Sequence, residues 1–269
     1  MISFPHCKIN LGLNVISKRS DGYHNIETCF YPVPRVDILE IIPTNEFSFS
    51  QSGVIVPGDE NDNLCVKAFH LLKNDFRIKN VKIHLHKLIS VGAGLGGGSS
   101  DGSFTLRLLD KIFDLKIPVE QLKIYASQLG SDCSFFVEDH PMIGTRRGEN
   151  LSSASVSLKG CYLVLVNPGI HIPTSNAYSG IVSQQPEFSI EETLKFPVTE
   201  WAGKLKNDFE ESIFAKHPII GQLKEKLYSS QAVYASMSGS GSSVYGIFEK
   251  PVDLKNDFAG MDYWSGELK

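Results

Sequence analysis

Two residues and two glycine runs in this sequence have the chemistry of group transfer to an alcohol. Lys8 stands on the polar side of an alternating stretch whose apolar members are Ile9, Leu11, Leu13 and Val15. Asp132 follows Gly130-Ser131 and precedes the apolar Phe135-Phe136-Val137. A carboxylate accepts the proton of an attacking alcohol, and a lysine beside it keeps it ionised and steadies phosphate charge. Each also has an ordinary structural explanation, Lys8 as a solvated edge-strand residue and Asp132 as a turn or cap residue. Sequence does not show the two side by side.

The stretch Ser90-Val91-Gly92-Ala93-Gly94-Leu95-Gly96-Gly97-Gly98-Ser99-Ser100-Asp101 adds an anion site. Before it, Val81 to Lys87 alternates as a strand does. After it, Phe104, Leu108, Leu109, Ile112 and Phe113 recur at helical spacing, which predicts a helix over 99–114 with Ser99, Ser100 and Asp101 as cap or first-turn residues. Glycine lets the backbone take positive φ and approach a ligand. The unpaired N–H groups at a helix start favour phosphate. Gly92, Gly94 and Gly97 satisfy the dinucleotide fingerprint, but about ninety residues precede them and Pro118 opens a helix where the second strand of a dinucleotide fold belongs. The other common phosphate loop needs lysine where Gly98 stands. A nucleotide here calls for a third type of loop. Ser238-Gly239-Ser240-Gly241-Ser242, between apolar runs 232–237 and 243–248, lacks the strand-to-helix setting of a nucleophile elbow and reads as a second anion-binding turn.

The elements that must position these groups follow from periodicity. Strands are predicted over 8–15, 26–33, 37–42, 81–87, 161–166, 232–237 and 243–248, with a weaker one over 46–51. Asp62 is placed to cap a helix over 63–73, Pro118 to open one ending near Gly130, and Pro218 to open another. Asp21-Gly22 and Asn167-Pro168-Gly169 mark turns, a short helix begins at Pro173 or Thr174, and residues 184–200 read as loop. Several strands ahead of the helices predict an α+β fold rather than a regular βαβ alternation. The small, polar segment 152–159 is a plausible boundary, giving domains 1–155 and 156–269.

At 269 residues the chain suits one large or two medium domains. A net charge of −4 gives no reason to expect a nucleic acid or membrane partner. Five scattered cysteines without a Cys-x-x-Cys pair, and no apolar leader, predict reduced thiols in a cytoplasmic protein. The eight histidines form no metal motif, and His84 and His86, on one strand face, read as structural. Tyr23 and Tyr178 flank turns, where each is packing, surface or a stacking platform.

In this order, Lys8 to Leu13, Gly92 to Ser100 and Ser238 to Ser242 resemble the three motifs of the galactokinase, homoserine kinase, mevalonate kinase and phosphomevalonate kinase (GHMP) superfamily. Arg19-Ser20-Asp21-Gly22-Tyr23-His24, Leu129-Gly130-Ser131-Asp132-Cys133 and Pro168-Gly169 through Thr174 resemble its branch acting on a cytidine-diphosphate-linked methylerythritol, in the non-mevalonate isoprenoid route. The resemblance spans nearly the whole chain. It implies an N-terminal domain like ribosomal protein S5 domain 2 and a ferredoxin-like C-terminal domain. It implies ATP and Mg²⁺, a small-molecule substrate phosphorylated on its 2-hydroxyl, and a monomer or weak homodimer.

The resemblance also implies residue roles. Lys8 and Asp132 match the catalytic pair, with Lys8 holding Asp132 ionised, and Asn10 a residue beside the substrate alcohol. Tyr23 and Tyr178 match positions that sandwich cytosine, His24 the one that reads its polar edge, and Thr174 and Gly239 substrate-side positions. Asn63, Leu64 and Lys87 match residues near adenine. Gly92, Gly94, Leu95, Gly96, Gly97, Gly98, Ser99 and Ser100 match the loop around the ATP phosphates. The metal ligands are not identified. Ser90, Ala93 and Arg146 depart from the pattern, Arg146 standing where glycine is common. The competing readings are a homoserine- or mevalonate-type kinase of the superfamily, and a non-catalytic nucleotide- or RNA-binding module.

Overall fold

The computed structural model describes residues 1–269. The chain runs β1 (Ile2–Ser3), β2 (His6–Lys18), β3 (His24–Val36), β4 (Ile38–Pro43), β5 (Ser48–Gly53), α1 (Leu64–Phe76), β6 (Val81–Lys87), α2 (Gly97–Phe113), α3 (Val119–Leu129), β7 (Met142–Arg146) and β8 (Asn150–Ser153). It continues with β9 (Tyr162–Asn167), α4 (Thr174–Tyr178), α5 (Ile190–Thr193), α6 (Phe209–Lys216), α7 (Pro218–Ser229), β10 (Tyr234–Met237), β11 (Val244–Phe248) and β12 (Asp262–Glu267). It divides into two compact units, one of residues 1–7, 35–91 and 96–139, the other of 8–34, 92–95 and 140–269.

In the first unit, β4 and β6 pair antiparallel and β5 joins β6 in parallel, in the sheet order β1-β4-β6-β5. β6 alternates buried Val81, Ile83, Leu85 and Lys87 with Lys82, His84 and His86, so one side of the sheet is apolar. Helices α1 and α2 bury Cys65, Val66, Ala68, Phe69 and Leu72 from one and Phe104, Leu106, Leu108 and Leu109 from the other. His84 and His86 share their outward face with Ser50 and Ser52, His84 bonding both hydroxyls and His86 that of Ser52.

The second unit contains a sheet in the order β10-β11-β9-β12, every neighbouring pair antiparallel. Taken as strands one to four of a repeat, β9, β10, β11 and β12 stand in the order 2-3-1-4, the ferredoxin-like arrangement, with α6 and α7 in the first crossover. A short 3₁₀ turn, Lys255–Phe258, stands where the second crossover helix of that fold belongs. Leu223 and Leu227 of α7, Phe209 and Ile213 of α6, and Val164, Val166, Val244 and Phe248 of the sheet share one core. A second sheet runs β2-β3-β7-β8.

Two expected helix starts are corrected. The cap of α1 is Asn63, whose Oδ1 accepts from Cys65 N at 2.9 Å, while Asp62 ends a 3₁₀ turn before it. Helix α2 begins two residues earlier than its serines suggest, because Gly96 takes φ 68° and serves as cap without a side chain. Ser99 and Ser100 therefore lie inside the first turn, and Asp101 turns inward. The polar stretch 152–159 begins within β8, since Ser152 and Ser153 pair with Ile143 and Met142. Within 184–200 the chain forms α5 and a 3₁₀ turn at Val198–Glu200. All five cysteines are unbridged thiols, and no helix is long and apolar enough to cross a membrane.

Candidate active site

Lys8 is 3% exposed, so it is not a solvated edge lysine. Its Nζ donates to Asn10 Oδ1 at 2.6 Å and to the Gly94 carbonyl at 3.1 Å, and lies 5.3 Å from the Phe30 ring centroid. The orientation of the Asn10 amide follows from its other partner. Thr28 Oγ1 donates to the Gly12 carbonyl at 2.6 Å and so accepts from Asn10 Nδ2 at 2.9 Å, which leaves Oδ1 for the ammonium. The second glycine loop closes this group. Asn10 N donates to Ser238 Oγ at 3.3 Å, and Ser238 Oγ donates to the Gly94 carbonyl at 2.9 Å.

Glycine is required where these segments meet. At Gly94, with φ +78°, a Cβ would stand 2.0 Å from the Ser238 carbonyl oxygen. At Gly239, with φ +56°, it would press on the Gly94 carbonyl and Asn10 Oδ1 at 3.2 and 3.3 Å. All three motif segments, 8–12, 92–95 and 238–242, thus meet within the second unit. Leu95 is buried and lends only backbone, its carbonyl accepting from Lys8 N at 3.0 Å. Gly92, with φ +65°, faces the His171 ring, whose Nδ1 would lie 2.4 Å from an added Cβ.

The same unit holds the residues matched to cytosine recognition. His24 stacks on Tyr178 with centroids 4.8 Å apart and planes at 15°, and Tyr178 meets Phe209 edge-on at 4.8 Å. Tyr23 is 57% exposed, with the Arg147 guanidinium 5.0 Å from its centroid. The structure therefore pairs Tyr178 with His24 and Tyr23 with Arg147. Burial, then the charge of Lys18, holds His24 below the usual imidazole pKa, so a neutral ring is available to donate and accept at pH 7. Thr174 opens α4 with its Oγ1 3.5 Å from Ser240 Oγ.

In the first unit, Gly96 brings the chain into α2, whose first bond runs from Ser100 N to the Gly96 carbonyl at 2.9 Å, so the N–H groups ahead of Ser100 have no partner along the helix. At Gly98 an added Cβ would meet nothing within 4 Å, which marks the open side of the turn. Asp132 occupies the cap position of the 3₁₀ turn Cys133–Val137, yet its side chain makes no capping bond. Asn63 caps α1, and the Leu64 side chain packs beside Gly102. A cavity of about 210 Å³ opens beside Asn63, lined among others by Phe49, Ser50, Gln51, Val56 and Pro57. Lys87 is 1% exposed, its ammonium bonded to Asp37 and, at 2.9 Å, to Asp101. No group of three or more histidine, cysteine, aspartate or glutamate side chains is arranged to hold a metal ion.

Sequence reasoning missed Thr28, Ser238, Asp37 and Asp101 as partners. Thr28 is a polar break in the apolar run of β3, and Asp101 closes the glycine stretch. Nothing in the sequence marks Asp37 as anything but a strand-opening residue.

Three segments thus meet around a buried lysine, and a helix started by glycine follows the second of them. Residues 63–142 match the GHMP kinases N terminal domain and residues 194–262 match GHMP kinases C terminal. A protein of Cytophaga hutchinsonii called 4-diphosphocytidyl-2-C-methyl-D-erythritol kinase is 50% identical over 249 residues, 92% of each chain. One of the same name from Parabacteroides distasonis is 46% identical over 270 residues, 100% of each. A crystal structure of 4-(cytidine 5'-diphospho)-2C-methyl-D-erythritol kinase aligns with TM-score 0.85 at 27% identity, covering 100% of this chain and 99% of that one. The chain belongs to the GHMP kinases and, among them, to the 4-diphosphocytidyl-2-C-methyl-D-erythritol kinase family.

Proposed function

We propose that the protein transfers the γ-phosphoryl group of ATP to the 2-hydroxyl of 4-diphosphocytidyl-2-C-methyl-D-erythritol, a step of non-mevalonate isoprenoid precursor synthesis. The observation that carries this reading is near-full-length identity of 46–50% to relatives named for that activity, in a chain that keeps Lys8, Asn10, Gly94 and Ser238 joined.

Phosphoryl transfer depends on positioning and electrostatics more than on covalent help. Asp132 takes the hydroxyl proton as the oxygen attacks phosphorus. Lys8, fixed by Asn10 and the Gly94 carbonyl, supplies positive charge for the transferring phosphoryl group. The N–H groups of Gly97, Gly98 and Ser99 receive the ATP phosphates, and the cavity beside Asn63 receives the adenine. Mg²⁺ bound with ATP would neutralise charge on the phosphates. Tyr23, His24, Tyr178, Thr174 and Gly239 form the substrate side. A pyrimidine stacking on Tyr178 displaces His24 from that ring, leaving the neutral imidazole to read the base's edge. A functional division near residue 155 lies in the interval between the two matched stretches, 63–142 and 194–262. The protein works in the cytoplasm, as a monomer or weak homodimer, without nucleic acid or membrane.

The test is ADP release with MgATP and the cytidine substrate, homoserine or mevalonate as acceptor. Turnover confined to the cytidine substrate supports the reading. Turnover of another alcohol keeps the fold and discards the pyrimidine pocket. ATP binding without turnover of any acceptor favours a binding module.

A further inference from the structure

The glycine stretch leaves β6 at Lys87 and enters α2 at Gly97, and both ends are fastened to one buried cluster in the first unit. Asp37 holds the beginning, its Oδ1 accepting from Leu88 N at 2.5 Å and Ile89 N at 2.8 Å. Its Oδ2 accepts from Lys87 Nζ, which also donates to Asp101 Oδ2, at 2.9 Å, in the first turns of α2. The three residues are 0%, 1% and 2% exposed. The ammonium lies so close under the helix start that a Cβ on Gly97 would come within 2.8 Å of Nζ. Breaking a buried ion pair by removing one partner is costly, because the other charge is left without compensation.

We propose that Asp37, Lys87 and Asp101 act as a buckle across the two ends of the glycine stretch, and that the side chains of Lys87 and Asp101 are positioning groups for the ATP phosphates. The proposal rests on the kinase reading above only in taking the stretch as a phosphate loop. The side chain of Lys87 is committed to the two carboxylates, and its carbonyl accepts from Val54 N at 2.9 Å. Its strongest reach is toward the loop ends. Asp101 also makes the buckle sensitive to charge. Asp101 Oδ1 is buried without a hydrogen-bond partner, so ionisation there is poorly compensated. Burial pushes the Asp101 carboxyl up, against the pull of Lys87 and with the repulsion of Asp37, to about 8.

The other ionisable groups around the cluster are Arg35 and the thiols of Cys7 and Cys65. Burial raises both thiols, Cys7 to about 12, so they stay neutral while Asp101 titrates. Above about pH 8 Asp101 ionises and adds a negative charge under a helix start that must receive phosphate.

The full-length chain tests this, with MgATP affinity from calorimetry and KM and kcat from ADP release between pH 7 and 9. Asp101→Asn keeps an oxygen on Lys87 without taking charge, and Asp101→Leu removes the tie. In the wild type, KM for ATP is expected to rise on the order of fivefold above pH 8. The asparagine variant is expected to lose that rise. The leucine variant is expected to raise KM for ATP about tenfold at every pH while kcat moves by less than about threefold. Parallel pH profiles in wild type and Asp101→Asn overturn the charge role. A folded Asp101→Leu with wild-type ATP affinity overturns the buckle. Should the leucine variant not fold, the asparagine profile alone decides. A wild-type chain that binds no ATP at any pH overturns the phosphate-loop reading itself, which separates that failure from failure of the buckle.

Discussion

Ser238 Oγ donates to the Gly94 carbonyl across a sequence separation of 144 residues. The same carbonyl accepts from Lys8 Nζ. One oxygen of the first glycine loop thus links the second glycine loop to the buried lysine, and both carbonyl lone pairs are used.

This geometry separates two glycines that look alike in sequence. Gly94→Ala places a Cβ 2.0 Å from the Ser238 carbonyl at a positive φ. It is expected to lower stability by about 3 kcal/mol or more, through strain and lost packing, as seen in urea unfolding. Gly98→Ala meets no protein atom within 4 Å and is expected to fold with stability within about 1 kcal/mol of wild type. Its methyl group points where phosphate is proposed to sit, so KM for ATP rises. Normal ATP kinetics in Gly98→Ala contradict that placement.

Lys8 and Asn10 give a graded pair. Lys8→Met removes the charge proposed to stabilise the transferring phosphoryl group and is expected to lower kcat by about 10²–10³-fold. Asn10→Ala leaves the ammonium with the Gly94 carbonyl but removes its 2.6 Å partner. A fall of about tenfold in kcat is expected, measured by steady-state ADP release. Equal losses in the two variants contradict a role for Asn10 through Lys8.

His24 sets an acid limit. Its pKa is held below the ordinary value by burial and Lys18, so the folded chain binds this proton less readily than the unfolded chain does. The stability contributed by the neutral ring is present above the unfolded value near 6.5 and is lost as pH falls through the lower folded value. Both stability and affinity for the cytidine substrate are expected to decline there, and His24→Gln is expected to flatten both profiles. Thermal unfolding and substrate KM from pH 5 to 8 check this.

Arg146 stands at φ 60°, a left-handed conformation, where β7 ends before the Arg147-Gly148-Glu149 turn. A side chain there carries a steric cost that glycine avoids. Arg146→Gly is expected to stabilise the protein by up to about 1 kcal/mol, since relieved strain exceeds the added chain entropy. Urea midpoints of the two proteins decide the sign.

Periodicity shows itself where burial is one-sided. Strand β6 falls on the 81–87 alternation because one face packs and the other is solvated. β7 and β8 escaped notice because a few residues with only Met142, Ile143 and Leu151 apolar give no period, and their pairing comes from tertiary context. The start of α2 was misplaced because a glycine cap leaves no side-chain signature. Chemistry was visible at Lys8, Asp132 and the glycine runs, where residue types are unusual for their surroundings. The joining of Lys8, Gly94 and Ser238 was not, because hydrogen bonds between distant segments leave no local pattern. The Lys87 cluster was hidden for the same reason.

The most direct test is ³¹P NMR of the product formed from MgATP and 4-diphosphocytidyl-2-C-methyl-D-erythritol. The acceptor carbon of the 2-hydroxyl is tertiary and bears no hydrogen. The account predicts a new phosphomonoester signal without three-bond coupling to a carbon-bound proton, present with wild type and reduced by Asp132→Asn about 10²-fold or more in rate. A phosphomonoester split by such coupling, which places the phosphate on a primary or secondary alcohol, or full turnover in Asp132→Asn, contradicts it.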